Sequence, residues 1–180
     1  MAKYEIILND YLHKIMLEPS LSGFSGKVRV RACGVLVENQ KILMIKHRGL
    51  GEKGYYWIPP GGGVEPGQSA ECTITREFLE ETGIEVKVSD FLFINEFIAH
   101  PLHAIELFFT VIKVGGEINR GYDPEMQPDE QIIEEVRFLS ISDIEREGPA
   151  KVHTRFYDLT TFQELKGAKG FFNFKNNYLK

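Results

Sequence analysis

Apolar and polar positions change period along the chain, and each change marks an element. Tyr4, Ile7, Leu8, Tyr11, Leu12, Ile15 and Met16 recur three and four apart, which predicts an amphipathic helix over residues 1–18. Pro19 would end that helix, and a short strand over 4–8 is the alternative. The following SLSGFSG reads as a linker. From 27 to 37 the period falls to two, with Val28, Val30 and Ala32 on one face and Arg29 and Arg31 on the other, which predicts a strand. Glu38-Asn39-Gln40 is a tight connection, and 41–47 is then the second arm of a hairpin. A loop over 48–54 leads to Trp57-Ile58, the start of a short strand that Pro59 and Pro60 end.

The helical period returns from about Ala70 to Thr82, with Ser69 as N-cap, Gly83 at C′, and Ala70, Ile74 and Phe78 facing the core. Residues 84–98 hold one or two strands with a break near Ser89-Asp90, and 104–114 is an apolar strand turned by Gly115-Gly116. An acidic, proline-containing loop spans 117–131. In the next strand, 132–139, Ile132, Glu134, Val136 and Phe138 share a face, which puts Glu134 on an otherwise apolar side. Ser142 and Glu145 have the spacing of a capping box for a short helix that Gly148-Pro149 ends. A last helix is predicted over 154–166. The expected organisation is a helical extension over 1–26, one domain over 27–166, and a basic aromatic tail over 167–180 with no assigned structure.

With 180 residues, 43% of them hydrophobic, the chain can bury one core. Its net charge of −5 argues against nucleic acid as a partner. No apolar run approaches a membrane span, and the N-terminus has no secretory h-region, so the cytoplasm is the expected location. Cys33 and Cys72 are too few and too far apart for a zinc knuckle or disulfide scaffold, and read as two buried thiols.

The chemistry concentrates in Gly61–Ile84, GGGVEPGQSAECTITREFLEETGI. Glu77, Glu80 and Glu81 stand at i, i+3 and i+4, on one face of the predicted helix. Like charges so placed repel, and a divalent cation reverses the sign of that cost, because hard oxygen ligands suit magnesium or manganese. The glycine loop ahead of the helix offers close backbone approach and free N–H groups to phosphate oxygens. The stretch reads as a metal-dependent site for a phosphate-containing ligand.

These residues resemble the box of the Nudix hydrolases, a glycine, a glutamate and then Arg-Glu-U-x-Glu-Glu-x-Gly-U, where U is a bulky aliphatic residue. Gly62, Arg76, Glu77, Glu80, Glu81, Gly83 and Ile84 match. Phe78 stands at the first U, and Gln68 stands where the family has its first glutamate. The resemblance covers about residues 28–150 and implies an α/β/α sandwich with a mixed β-sheet. It implies hydrolysis of a nucleoside diphosphate linked to a further group, by water attack at phosphorus with Mg²⁺, or alternatively Mn²⁺. It nominates Glu77, Glu80, Glu81 and the carbonyl of Gly61 as metal ligands, and Gly62 and Gly63 beside the substrate. Glu77 and Glu81 are candidate catalytic carboxylates. In many members the general base lies outside the box, and Glu130 and Glu134 occupy that region here, with Glu130 favoured. Gln68 is expected to brace Arg76 by one uncharged hydrogen bond where the family has an ion pair.

Lys46, His47 and Arg48 end a strand near the glycine loop; they are candidates for substrate phosphate or base, Arg48 first, or a solvated strand end. Trp57 is expected to pack under the loop. His100 and His103 are a weak metal signal, since strand residues three apart face opposite ways. Glu96 and Glu106 are strand glutamates expected at the surface, with accessory ligation the alternative. By the resemblance, Pro101 points to ADP-ribose, with a nucleoside triphosphate second. A non-catalytic nucleotide-binding module on the same fold is the alternative. Partners are thus a small nucleotide, with no nucleic acid and no membrane, and a homodimer is left open.

Overall fold

The computed structural model describes residues 26–49, 54–99, 102–122 and 131–174. The predicted helix and linker over 1–25, the loop residues 50–53, and 123–130 lie outside the described residues, as do His100 and Pro101.

The hairpin forms as β1 (Arg29–Val35), β2 (Val37–Glu38) and β3 (Lys41–Arg48). Its turn places Asn39 and Gln40 at φ 48° and 58°, the left-handed pair that matches the twist of a two-residue hairpin. β4 (Tyr55–Ile58) starts two residues ahead of Trp57, and the glycines themselves form β5 (Gly61–Gly63). The box helix α1 is Ala70–Thr82. Ser69 Oγ accepts from Cys72 N–H at 3.1 Å, and Gly83 closes the helix at φ 71°. Ile74 and Phe78 are fully buried, and Ala70 packs against the same cluster.

Residues 84–99 form one strand, β6 (Ile84–Ala99), rather than two; the predicted break is a register shift between Val88 and Phe91. β7 (Leu102–Gly116) pairs with it antiparallel. β8 is Ile133–Leu139. Short helices α2 (Ile141–Glu147), α3 (Thr154–Tyr157) and α4 (Glu164–Gly167) follow, then β9 (Gly170–Phe174).

The strands make two sheets, β5-β1-β7-β6-β9, in which β1 with β7 and β6 with β9 are parallel, and a second in which β3 is flanked by β2, β4 and β8. One apolar cluster joins Ala32, Leu36 and Leu43 to Ile74 and Phe78 of α1. The other joins Cys33, Trp57, Phe93 and Phe108 to Phe156 and Leu165 of the C-terminal helices. β1 and β3 supply alternate residues to both clusters, so these strands are covered on both faces.

Four expectations are corrected. The capping box of α2 is Ser140 with Asp143, not Ser142 with Glu145, because the helix begins at Ile141 and Asp143 accepts from Ser140 N–H at 2.9 Å. The single helix over 154–166 is two short ones, and the intervening residues include the buried Phe162. Part of the unassigned tail is β9, an edge strand on β6. Cys33 is buried, its thiol pushed up to about 12 by burial, whereas Cys72 is exposed on α1.

Candidate active site

α1 delivers its carboxylates to the outer edge of β5. Glu81 is buried, and its Oε2 accepts from Gly61 N–H at 3.0 Å, while His47 Nε2 stands 3.7 Å from its Oε1. Glu77 lies over Gly62: a Cβ there would come within 2.0 Å of Glu77 Oε1, so only glycine leaves room for this carboxylate. Gly61 adopts φ 153°, and a Cβ on it would meet Ala32 O at 2.4 Å. The Gly61 carbonyl accepts from Arg31 Nη2 at 2.9 Å.

Arg76 divides its charge between Glu77 (2.9 Å) and Glu80 (3.0 Å). The expected brace from Gln68 to Arg76 is not made. Gln68 instead donates to Glu65 at 2.7 Å and faces Thr73 Oγ1, at the start of the helix, because Arg76 is drawn to the full charges within its own helical turn. Burial raises Glu77, and Glu81 and Glu80 raise it further; Arg76 and Arg31 offset this only in part, and the carboxyl reaches about 7. Negative charge at the site is therefore undercompensated by the protein. That imbalance, with an all-oxygen donor set, fits a hard divalent cation. Among the described residues no three His, Cys, Asp or Glu side chains already converge as a complete ligand cage, and Arg76 is the cation that α1 itself supplies.

The loop after β7 completes the site from behind. Asn119, Gly121 and Tyr122 N–H groups donate to the carbonyls of Thr82, Glu81 and Glu80 at 2.9, 3.0 and 3.3 Å. They satisfy the orphan acceptors at the helix end and fix the turn that carries Glu80 and Glu81. The sequence signal for this is Gly121, where a Cβ would lie 1.9 Å from Glu80 O.

Glu134 is not on an apolar face. β8 shifts register against β3 between Lys46 and His47, with Glu135 paired to Lys46 and Ile133 to His47. That bulge turns Glu134 outward, where its carboxylate meets Lys46 Nζ at 3.0 Å. Glu130 lies outside the described residues. Arg48 is exposed at the end of β3, its N–H bonded to Ile132 O at 2.8 Å. Trp57 is buried in the cluster with Cys33, Phe93 and Phe108. His103 pairs with Glu96 at 3.1 Å.

Glu106 is the main residue misplaced by sequence reasoning. Its side chain is largely covered, 12% exposed, rather than at the surface, and is bonded by Asn95 Nδ2 at 2.8 Å and His153 Nε2 at 3.1 Å. Burial raises its pKa, but His153, Arg31 and Asn95 outweigh burial and bring it down to about 2.

Residues 27–159 match the NUDIX domain model, and the chain belongs to that family. It is 35% identical over 92 residues to an ADP-ribose pyrophosphatase of Methanocaldococcus jannaschii, an alignment covering 50% of this chain and 54% of that one. It is 46% identical over 55 residues to a Bacillus subtilis protein named as an 8-oxo-dGTP diphosphatase, covering 31% and 34%. The alignments thus span about half or less of these relatives. A solved Nudix hydrolase from Nitrosomonas europaea superposes with a TM-score of 0.59 at 22% identity, covering 69% of this chain and 80% of that one, which establishes the fold. Among the described residues no helix is long and apolar enough to cross a membrane.

Proposed function

We propose that this chain is a divalent-metal-dependent hydrolase that cleaves the pyrophosphate bond of a nucleoside diphosphate derivative, with ADP-ribose or a related compound the first substrate and a nucleoside triphosphate the second. The observation that carries this is the carboxylate face of α1 set against the glycine strand, with Glu77 over Gly62 and Glu81 bonded to Gly61 N–H. The match to an ADP-ribose pyrophosphatase over half the chain supports the substrate order.

Glu77, Glu80, Glu81 and the carbonyl of Gly61 would hold Mg²⁺ or Mn²⁺. Bound there, the metal would neutralise diphosphate charge and acidify a water. The remaining work falls to the chain. Gly61 N–H and His47 orient the Glu81 carboxylate. Glu77, with its carboxyl near 7, gives up a proton as the site loads. Gly62 and Gly63 let a phosphate approach the backbone, and Arg48, at the exposed end of β3, meets the substrate's charge. The attacking water's proton passes to a carboxylate outside the helix. Glu130 is the first choice, since Glu134 is engaged by Lys46.

A Mg²⁺-dependent hydrolysis screen over ADP-ribose, nucleoside triphosphates and dinucleotides tests this. Release of AMP from ADP-ribose is the expected result. Binding of these compounds without turnover would replace the enzyme reading with that of a nucleotide-binding module.

A further inference from the structure

The glycine strand β5 is held from both faces. In the antiparallel register Ala32 opposes Gly62, and Arg31 and Cys33 oppose Gly63 and Gly61. Alternation puts Ala32 and Gly62 toward α1, where Ala32 joins the Ile74–Phe78 cluster and Gly62 meets Glu77. Arg31 and Cys33 take the opposite face. From there the Arg31 guanidinium reaches past the glycines, and Nη2 donates to Gly61 O at 2.9 Å. Gly61 is thus gripped twice, its N–H by Glu81 and its carbonyl by Arg31.

Arg31 is not isolated. Its register partner on the parallel neighbour β7 is Glu106, a largely covered counter-charge. Asn95 of β6 and His153 hold Glu106. His153 Nδ1 accepts from Arg155 N–H, which leaves Nε2 to donate to Glu106. His153 is itself fixed to β4, its N–H on Trp57 O at 2.9 Å. Cys33, Phe93 and Phe108 crowd the same cluster, and apolar packing would stabilise such a region as well as buried charges do. Stability alone is therefore a poor account of a guanidinium here. Its Nε is sealed from solvent with no partner among the described residues, so the side chain is not placed to satisfy every donor. It is placed to meet one carbonyl.

We propose that Arg31 is a positioning residue that aims the Gly61 carbonyl at the cation site, backed by the Glu106–Asn95–His153 array. This rests on the reading of Gly61 as part of that site. A carbonyl oxygen has two lone pairs, so Arg31 takes one and leaves the other for the cation. The two effects of Arg31 on a cation have opposite signs. Its charge repels, and its grip on Gly61 favours binding.

The test uses the full chain and Mn²⁺ alone, with free Mn²⁺ read by electron paramagnetic resonance. Positioning predicts that Arg31→Met and Arg31→Lys both weaken Mn²⁺ binding by about tenfold or more, the scale of outer-shell substitutions. Thermal unfolding reports whether each variant is folded, and if Arg31→Met is not, Arg31→Lys decides. Tighter binding in Arg31→Met, or parent-like binding in Arg31→Lys, would show that only charge matters, unchanged binding in Arg31→Met would show no net grip, and each would overturn the proposal. In metal-free protein the ¹³C resonance of the Gly61 carbonyl should move in Arg31→Lys, and an unmoved resonance counts against it equally. Where the parent hydrolyses a substrate, kcat should fall with KM held. A parent that fails to bind Mn²⁺ overturns the metal site itself, and the role of Arg31 with it; a failure confined to the variants' predicted losses overturns only the role of Arg31.

Discussion

Gly62→Ala isolates the contact between the glycine strand and the candidate metal ligands. Gly62 is not in the left-handed region, so alanine suits its backbone. The added Cβ would stand 2.0 Å from Glu77 Oε1, against 3.4 Å for ordinary contact, so the carboxylate must retreat by about 1.4 Å. The obstruction is the tip of a flexible side chain, which puts the stability cost at the low end for overpacking, ~1 kcal/mol. Function is less forgiving, because a displacement of about 1 Å at a reacting centre costs roughly 100-fold, or ~2.7 kcal/mol of barrier. The variant should therefore melt close to the parent yet lose about two orders of magnitude in kcat/KM on the best substrate. Gly61→Ala is the contrast: at φ 153°, with backbone atoms of Ala32 and Cys33 at 2.4 and 2.6 Å from a Cβ, it should lose stability first. Steady-state kinetics with thermal unfolding on both variants decide the matter. A Gly62→Ala enzyme within about threefold of the parent would refute the placement of Glu77.

Three further outcomes follow from the geometry. Gln68→Glu should not raise the hydrolysis rate, because Gln68 does not reach Arg76 and the new carboxylate would face Glu65 at the 2.7 Å contact; a large gain in kcat would restore the expected brace. Glu106 is depressed to about 2 in the folded chain, so it stabilises fully above about pH 4.5 and progressively less as pH falls toward 2; urea midpoints should show roughly 3 kcal/mol of acid sensitivity that Glu106→Gln removes. Glu77 is raised to about 7, so Mn²⁺ affinity should climb as pH rises to about 7 and level off above, with proton release seen calorimetrically, whereas a pH-independent affinity would contradict its place among the ligands.

The local signals in the sequence were strong wherever one element determined the outcome. Ser69, the Ile74–Phe78 stripe and Gly83 bounded α1 because caps and periodicity act within a turn or two. The carboxylate face was legible for the same reason. What escaped was set by distant partners. Alternation separated Arg29 and Arg31 from Val28 and Val30, but it could not tell that β1 is covered on both faces. Val28 and Val30 are exposed while Arg31 turns beneath β5. Glu106 follows the same logic: it shares a face with the buried Phe108, and only the neighbouring strands explain why a charge is tolerated there. Glu134 was misplaced by a single bulge, which period-two reasoning cannot foresee.

The central claim is that the α1 carboxylates form a metal-dependent hydrolytic site. It is tested most directly by Glu81→Gln, which keeps the side chain's shape and an acceptor for Gly61 N–H while removing its charge. Mg²⁺-dependent turnover of ADP-ribose, measured beside the parent together with Mn²⁺ affinity, should fall by two orders of magnitude or more, about 2.7 kcal/mol, with the fold intact. Parent-like turnover and parent-like metal affinity in Glu81→Gln would contradict the assignment of the site.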